Sequence, residues 1–299
     1  MIIYSILWLL ISILCTSYVR AFSTTANTLP PHHHNTKQQH NKISFNEVSI
    51  EDGKYINNNE QTTICERLKF GESLIQLANP ATIDECKLLV NKCIQYANNI
   101  APTRQLDKPG LVRIPTIDAY KRAQLSNTVC AEPLPSNVDD VLQNILSRAI
   151  SYIDDELPSL STTLFNTNSI STLMQNNQLK YSSREPAINI YTTGGQFLAH
   201  KDAQSLTILI PLSSSTDFTG GGTAFWTQDS RGHRVEEPSI VQKPKNCGTA
   251  LLFGGCVTHS GVAVESGERV VFVASFSREG ISVDQAAMEE QRDIYGDSL

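Results

Sequence analysis

From about residue 176 onward the apolar residues stop recurring at helical spacing and fall into short runs separated by turn formers. Ala187-Ile-Asn-Ile-Tyr191, Leu206-Thr-Ile-Leu-Ile-Pro-Leu212, Thr223-Ala-Phe-Trp226, Thr249-Ala-Leu-Leu-Phe253 and Val270-Val-Phe-Val-Ala-Ser-Phe276 each read as a strand. Gly, Pro, Ser or Asp bounds every one of them. Parallel strands need long crossovers, usually helical, and no helical stretch separates these runs. The pattern therefore predicts a sandwich or a barrel. No Rossmann or P-loop glycine pattern follows any of the runs.

The preceding region has a different period. Ser73-Leu-Ile-Gln-Leu77 is a short strand candidate, and Ile83 onward carries apolar residues at 86, 89, 90, 93, 94 and 97. That spacing predicts a helix, with Thr82 as its cap and Glu85 three residues on. A second helix is predicted from about Asn137 to Leu157, with Val141, Leu142, Ile145, Leu146, Ile150 and Ile153 on one stripe. Both helices suit packing against a sheet, and neither carries chemistry.

The N-terminal part reads as address and spacer. Ile2 to Val19 is a charge-free apolar run, at the border between a signal-peptide core and a membrane span. Val19-Arg20-Ala21 suits cleavage after Ala21, while the missing basic n-region leaves an uncleaved anchor as the alternative. Phe22 to Phe45 has no acidic residue, as in transit peptides, so delivery is expected to the secretory pathway (ER lumen or secreted) or to a plastid through a bipartite leader. Residues 22–60, including Pro30-Pro31-His32-His33-His34, are too poor in apolar side chains to offset ordering and read as a linker. The division is a leader over 1–21, this linker, a helical support region over 61–175, a strand-rich domain over 176–280 and a tail over 281–299. Past the leader remain Cys65, Cys86, Cys93, Cys130, Cys247 and Cys256, an even set that permits disulfides as well as buried free thiols. Cys86 and Cys93 share a helical face but lie too far apart to bridge each other.

Two segments in the strand-rich domain carry the chemistry: Tyr191-Thr-Thr-Gly194-Gly195-Gln-Phe197-Leu-Ala-His200-Lys-Asp202 and Thr258-His259-Ser-Gly-Val-Ala-Val-Glu-Ser-Gly267-Glu-Arg269. Residues two apart on a strand point to one face, so His200 and Asp202 can aim at one ion. His259 offers a third ligand, although a lone histidine there more often serves as a satisfied polar group. Two His and one Asp on one face of a metal leave the opposite positions open, as in non-haem Fe(II) oxygenases. Arg269 enters an apolar strand, where a guanidinium normally has an anionic partner. That partner is either a bound carboxylate, held bidentately, or a neighbouring Glu265 or Glu268.

Taken jointly over residues 185 to 278, the order resembles the 2-oxoglutarate- and Fe(II)-dependent dioxygenases, in particular the prolyl 4-hydroxylase-like branch. Gly220-Gly-Gly-Thr223-Ala-Phe225 and Pro244-Lys-Asn-Cys-Gly248-Thr-Ala-Leu-Leu-Phe253 belong to the same match. The resemblance implies an α+β chain whose core is a double-stranded β-helix, the cupin-like jelly roll, with flanking N-terminal helices. It implies iron on His200, Asp202 and His259, the distal carboxylate of 2-oxoglutarate on Arg269, and Tyr191 as a hydrogen-bonding helper. O₂ would be the second co-substrate, ascorbate the reductant, and succinate and CO₂ the co-products. Collagen-type prolyl hydroxylases have Lys where this chain has Arg269, which weakens the inference of proline as target more than that of the co-substrate. Related halogenases lack the carboxylate that Asp202 supplies, so its presence implies hydroxylation.

The expected partner is a protein or peptide, with peptidyl proline as the target. A small molecule or peptidyl lysine under the same chemistry, and a catalytically silent jelly roll used for binding, are the alternatives. With 24 Lys+Arg against 30 Asp+Glu, no basic field favours nucleic acid. A membrane enters only through residues 2–19, if uncleaved. Specificity is expected from loops around Ser213–Phe218 and Thr227–Val241, of which Asp229–Val235 reads as a solvated turn.

Overall fold

The computed structural model describes residues 46–50, 58–100, 109–127, 132–227, 236–244 and 246–280. The leader, the histidine tract, Cys130, the Asp229–Val235 turn and the tail from 281 lie outside the described residues.

Its helices are α1 (Asn58–Lys69), α2 (Ile83–Ile100), α3 (Ile117–Leu125), α4 (Ser136–Glu156), α5 (Pro158–Phe165) and α6 (Ile170–Gln175). The start of α2 is the reciprocal cap that its sequence predicts. Thr82 Oγ1 accepts from the Glu85 N–H at 3.2 Å, and Glu85 Oε2 accepts from the Thr82 N–H at 2.9 Å. Thr82→Ala is expected to cost about 1 kcal/mol, read as a lower midpoint in urea unfolding. The apolar stripe is equally legible: Cys86, Leu89, Cys93 and Ala97 are buried, with Val90 and Ile94 packed beside them.

The strands form two facing sheets and a small ribbon. The major sheet takes β1 (Asn46–Ile50), β2 (Ser73–Leu77), β3 (Leu111–Pro115), β4 (Leu179–Tyr181), β5 (Ala187–Tyr191), β7 (Leu206–Pro211), β11 (Ala250–Phe253) and β14 (Arg269–Arg278). Its order is β1-β2-β11-β7-β14-β5-β3, with β4 on the far end of β14, and only the β1–β2 pair is parallel. The minor sheet runs β10-β9-β12-β6, from β6 (Phe197–His200), β9 (Thr223–Trp226), β10 (Ile240–Gln242) and β12 (Thr258–Gly261). A ribbon of β8 (Phe218–Gly220) and β13 (Val264–Gly267) completes the fold. Interleaved antiparallel strands in two sheets make a double-stranded β-helix, and the helices make it α+β.

Burial on both faces explains why the major-sheet strands are nearly continuous apolar runs. On β14, Val270, Phe272, Ala274 and Phe276 join the cluster shared with the helices, while Val271 joins the cluster between the sheets. Each large apolar side chain so buried contributes about 1.5–3 kcal/mol. The inward rows alternate with these: Arg269, Val271, Val273 and Ser275 face the space between the sheets.

Two differences from the sequence reading have plain physical causes. β1 falls inside the stretch expected to be linker, because main-chain pairing with β2 orders residues whose side-chain composition gave no sign of it. Likewise β3, which was not expected, comes from the region read as helical support, as the expected strand β2 does, and it supplies one edge of the sheet. Among the described residues no helix is long and apolar enough to cross a membrane.

No disulfide joins any of the five described cysteines. Burial pushes Cys65, Cys86 and Cys93 up from 9.0 to about 12. The fold thus favours the protonated thiols; that stability is complete below pH 9 and is lost as the pH climbs toward 12. Iodoacetamide at about pH 8 is expected to leave Cys65 and Cys93 unmodified in the native protein and to label them after denaturation, as peptide mass spectrometry will read.

Candidate metal centre and co-substrate pocket

His200 closes β6, and its Cα partner across the minor sheet is His259 on β12. Cross-strand partners share a face, so both rings enter the space between the sheets, with centroids 4.3 Å apart. Asp202 lies two residues beyond the end of β6, just before Ala203, whose φ is 54°. The carboxylate therefore reaches the histidines from the connection after the strand, and not from the strand itself as the sequence suggested. Asp202 Oδ1 is 3.3 Å from His200 Nε2, and Oδ2 is 3.5 Å from His259 Nε2. One ligand atom from each of the three residues falls within 4.8 Å of the others.

The second ring nitrogens fix how the imidazoles present themselves. His200 Nδ1 is 2.7 Å from the Leu198 carbonyl, and His259 Nδ1 is 3.3 Å from that of Val257. A carbonyl only accepts, so each Nδ1 carries a proton, which leaves Nε2 as the ring atom turned toward a cation. Burial pushes His259 down from 6.5 to about 4, which also keeps it neutral. For Asp202, burial works upward, but the two imidazoles and the Thr207 hydroxyl outweigh it and hold the carboxyl below the usual range. Thr207 donates to Asp202 Oδ2, and its hydroxyl lies 3.1 Å from that of Ser275. A carboxylate pinned in this way and two imidazoles form a donor set that suits a divalent cation with open positions opposite.

The connection carrying Asp202 is held by a backbone contact. A Cβ on Gly255 would come within 1.9 Å of the Gln204 carbonyl, so only glycine lets the turn after β11 lie against it.

Arg269 opens β14 on the same side of the cavity and is 4% exposed. Its Nη2 donates to the Thr223 hydroxyl at 2.9 Å, and its guanidinium carbon lies 5.0 Å from the Tyr191 ring centroid. Neither Glu265 nor Glu268 is its partner. Nη1 is buried with no hydrogen-bond partner among the described residues. Burial lowers the affinity of this guanidinium for its proton, yet arginine stays charged in proteins. A buried cation with a free N–H is costly unless an anion completes it, so the residue fits a ligand carboxylate. The Tyr191 hydroxyl sits at hand, reached by both Arg269 and Asn189, and burial raises its pKa. A Cβ on Gly261 would come within 3.0 Å of that hydroxyl, which explains a glycine at the end of β12.

Every residue expected at the site therefore meets in one cleft: Tyr191, His200, Asp202, His259 and Arg269. Three further contributors went unassigned in the sequence. Thr207 and Thr223 gave no signal, because only the sheet register brings them to Asp202 and Arg269. Arg113 on β3 carried the same mark as Arg269, a guanidinium in an apolar run, and that mark would have found it.

No protein-family model matches the chain, and no curated protein is similar to it in sequence. Among solved structures it is similar to the viral collagen prolyl hydroxylase of Paramecium bursaria Chlorella virus-1 in complex with 2-oxoglutarate. Identity is 12%, with 70% of this chain and 96% of the other covered and a TM-score of 0.40. An oxidoreductase of the 2OG-Fe(II) oxygenase family from Burkholderia pseudomallei is 16% identical over 80% and 98% of the two chains, at a TM-score of 0.44. HygX from Streptomyces hygroscopicus, with nickel and 2-oxoglutarate bound, is 12% identical over 76% and 89%, at 0.46. The structural neighbours of this chain thus include 2-oxoglutarate/Fe(II) oxygenases and a prolyl hydroxylase, and the double-stranded β-helix stands on its own strand order.

Proposed function

We propose that the chain is an Fe(II)- and 2-oxoglutarate-dependent dioxygenase that hydroxylates a peptidyl side chain, with proline as the target. The observation that carries this reading is the pairing of two features in one buried cleft: the His200–Asp202–His259 cluster and the unpartnered Nη1 of Arg269. The first has the ligand types and tautomers for Fe(II), and the second is an anion site on the same cavity. Bound there, the metal and 2-oxoglutarate would supply oxidation by O₂, releasing succinate and CO₂.

The residues divide the remaining work. Asp202 and the two Nε2 atoms hold the metal; Thr207 fixes the carboxylate that touches it. Arg269, Thr223 and Tyr191 orient the co-substrate through its distal carboxylate. The apolar wall of Leu209, Val273 and Phe197 keeps water from the reacting centre. Ascorbate is the reductant and the secretory pathway the compartment in this proposal, with a plastid as the second address.

Succinate formation with Fe(II), ascorbate and 2-oxoglutarate, beside iron content measured after anaerobic loading, tests the proposal. Iron bound in about one equivalent with succinate release supports it. A chain that binds no iron is a jelly-roll binding module, and the proposal fails.

A further inference from the structure

The cleft has a second cation that the proposed chemistry does not use. Arg113 stands on β3, the edge strand of the major sheet, and its Cα partner on β5 is Asn189. Both line the same cleft as the metal ligands. Arg113 donates through Nη2 to Glu185 Oε1, while the Ser275 N–H donates to Glu185 Oε2 at 2.6 Å. Glu185 is thus committed at both oxygens. The Arg113 guanidinium carbon lies 5.9 Å from the ring centroid of half-buried Phe197, which itself sits 4.7 Å from His200. Arg113 is the more open of the ion pair, with 20% of its side chain exposed against 7% for Glu185. Arg113 thus lines the cleft beside the ring that packs on His200.

Two polar atoms here have no hydrogen-bond partner among the described residues: the Arg113 Nε–H, a donor, and Asn189 Oδ1, an acceptor on a side chain only 5% exposed. Leaving such groups buried and unpaired is costly. The co-substrate cannot answer Asn189, because a dicarboxylate has no hydrogen to donate. Opposite residues of an antiparallel pair hold their side chains about 4.5–5.5 Å apart at Cβ. A donor and an acceptor offered to one cleft by such cross-strand partners match the C=O and N–H that one extended peptide residue, or one primary carboxamide, shows on a single edge.

Charge narrows the choice further. Among the described residues, the carboxylates lining the cleft are Asp202, among the histidines, and Glu185, already doubly bonded. An entering ammonium finds no free anion, and an entering carboxylate must compete with Glu185 for Arg113. Building on the dioxygenase reading, we propose that Arg113 and Asn189 are specificity-determining residues that read an uncharged amide, so that the substrate is a neutral segment and not a lysyl side chain.

Fluorescence anisotropy on the full chain loaded with Zn(II) and 2-oxoglutarate tests this. The probes are short capped peptides with proline, lysine or glutamate at the centre, the proline peptide with its following amide replaced by an ester, and acetamide as a competitor. The proline peptide is expected to bind at least about tenfold more tightly than the lysine or glutamate peptide. Arg113→Lys keeps a cation for Glu185 but has no Nε, and Asn189→Ala removes the acceptor. Each is expected to weaken the proline peptide about tenfold or more, and beyond any change in 2-oxoglutarate affinity. The ester peptide is expected to lose affinity in the wild type and none further in Asn189→Ala, a coupling that a merely structural Asn189 does not produce. Preferential displacement by acetamide with no ester effect assigns the carboxamide source. Equal binding of all three peptides, or variants that weaken 2-oxoglutarate and peptide alike, overturns the proposal. Failure to bind Zn(II) and 2-oxoglutarate at all overturns the dioxygenase reading instead.

Discussion

Asp202→Ala is expected to lose iron at stoichiometric loading and to lower succinate formation by about 10²–10³-fold or more, the scale on which single essential groups act in active sites. The carboxylate is the one anionic ligand of the three, and it lies between the histidines at 3.3 and 3.5 Å. Without it the cation meets two neutral imidazoles in a buried cavity, and the attraction that offsets its dehydration is gone. Asp202→Asn sharpens the test, since it keeps the shape and the Thr207 contact but removes the charge. Metal content by mass spectrometry, alongside turnover, checks both. A variant that keeps iron and full turnover would remove Asp202 from the site.

Arg269→Ala is the second large effect. A charge-assisted pair truncated on one side typically costs about 2–5 kcal/mol, so 2-oxoglutarate affinity is expected to fall by about 30-fold to several thousand-fold. The protein keeps its metal, because Arg269 touches Thr223 and Tyr191 and none of the three ligands. Arg269→Lys retains a point charge without the planar fork and is expected to lie between the two, about tenfold down. Titration of 2-oxoglutarate into metal-loaded protein by calorimetry reads all three. Unchanged affinity in the alanine variant would show that the anion binds elsewhere.

The chemistry of this chain was legible where polar residues interrupt apolar strands at fixed offsets. His259 and Arg269 stand out for that reason, and the structure places them together with His200. The double-stranded fold was legible in the same runs, since two buried faces leave no alternation to confuse with a helix. What escaped was whatever depends on register. Thr207 next to Asp202, Thr223 next to Arg269 and Asn189 opposite Arg113 are neighbours only after the strands have paired. β1 escaped for a related reason: its main chain pairs with β2, and main-chain bonding leaves no trace in composition.

Among the described residues β6, four residues long, stands at the end of its sheet beside β12, with a break in register between His259 and Gly261. Its one deeply buried residue is His200. A cation shared by His200 and His259 would act as a clasp across this short, bulged seam, and the free energy of loading would also be free energy of closing it. Amide exchange at Phe197–His200 is expected to slow on metal binding by far more than exchange in β7 or β14. Scarcity of iron would then act on this protein first as an unlatched wall of its cavity, well before any loss of the barrel itself.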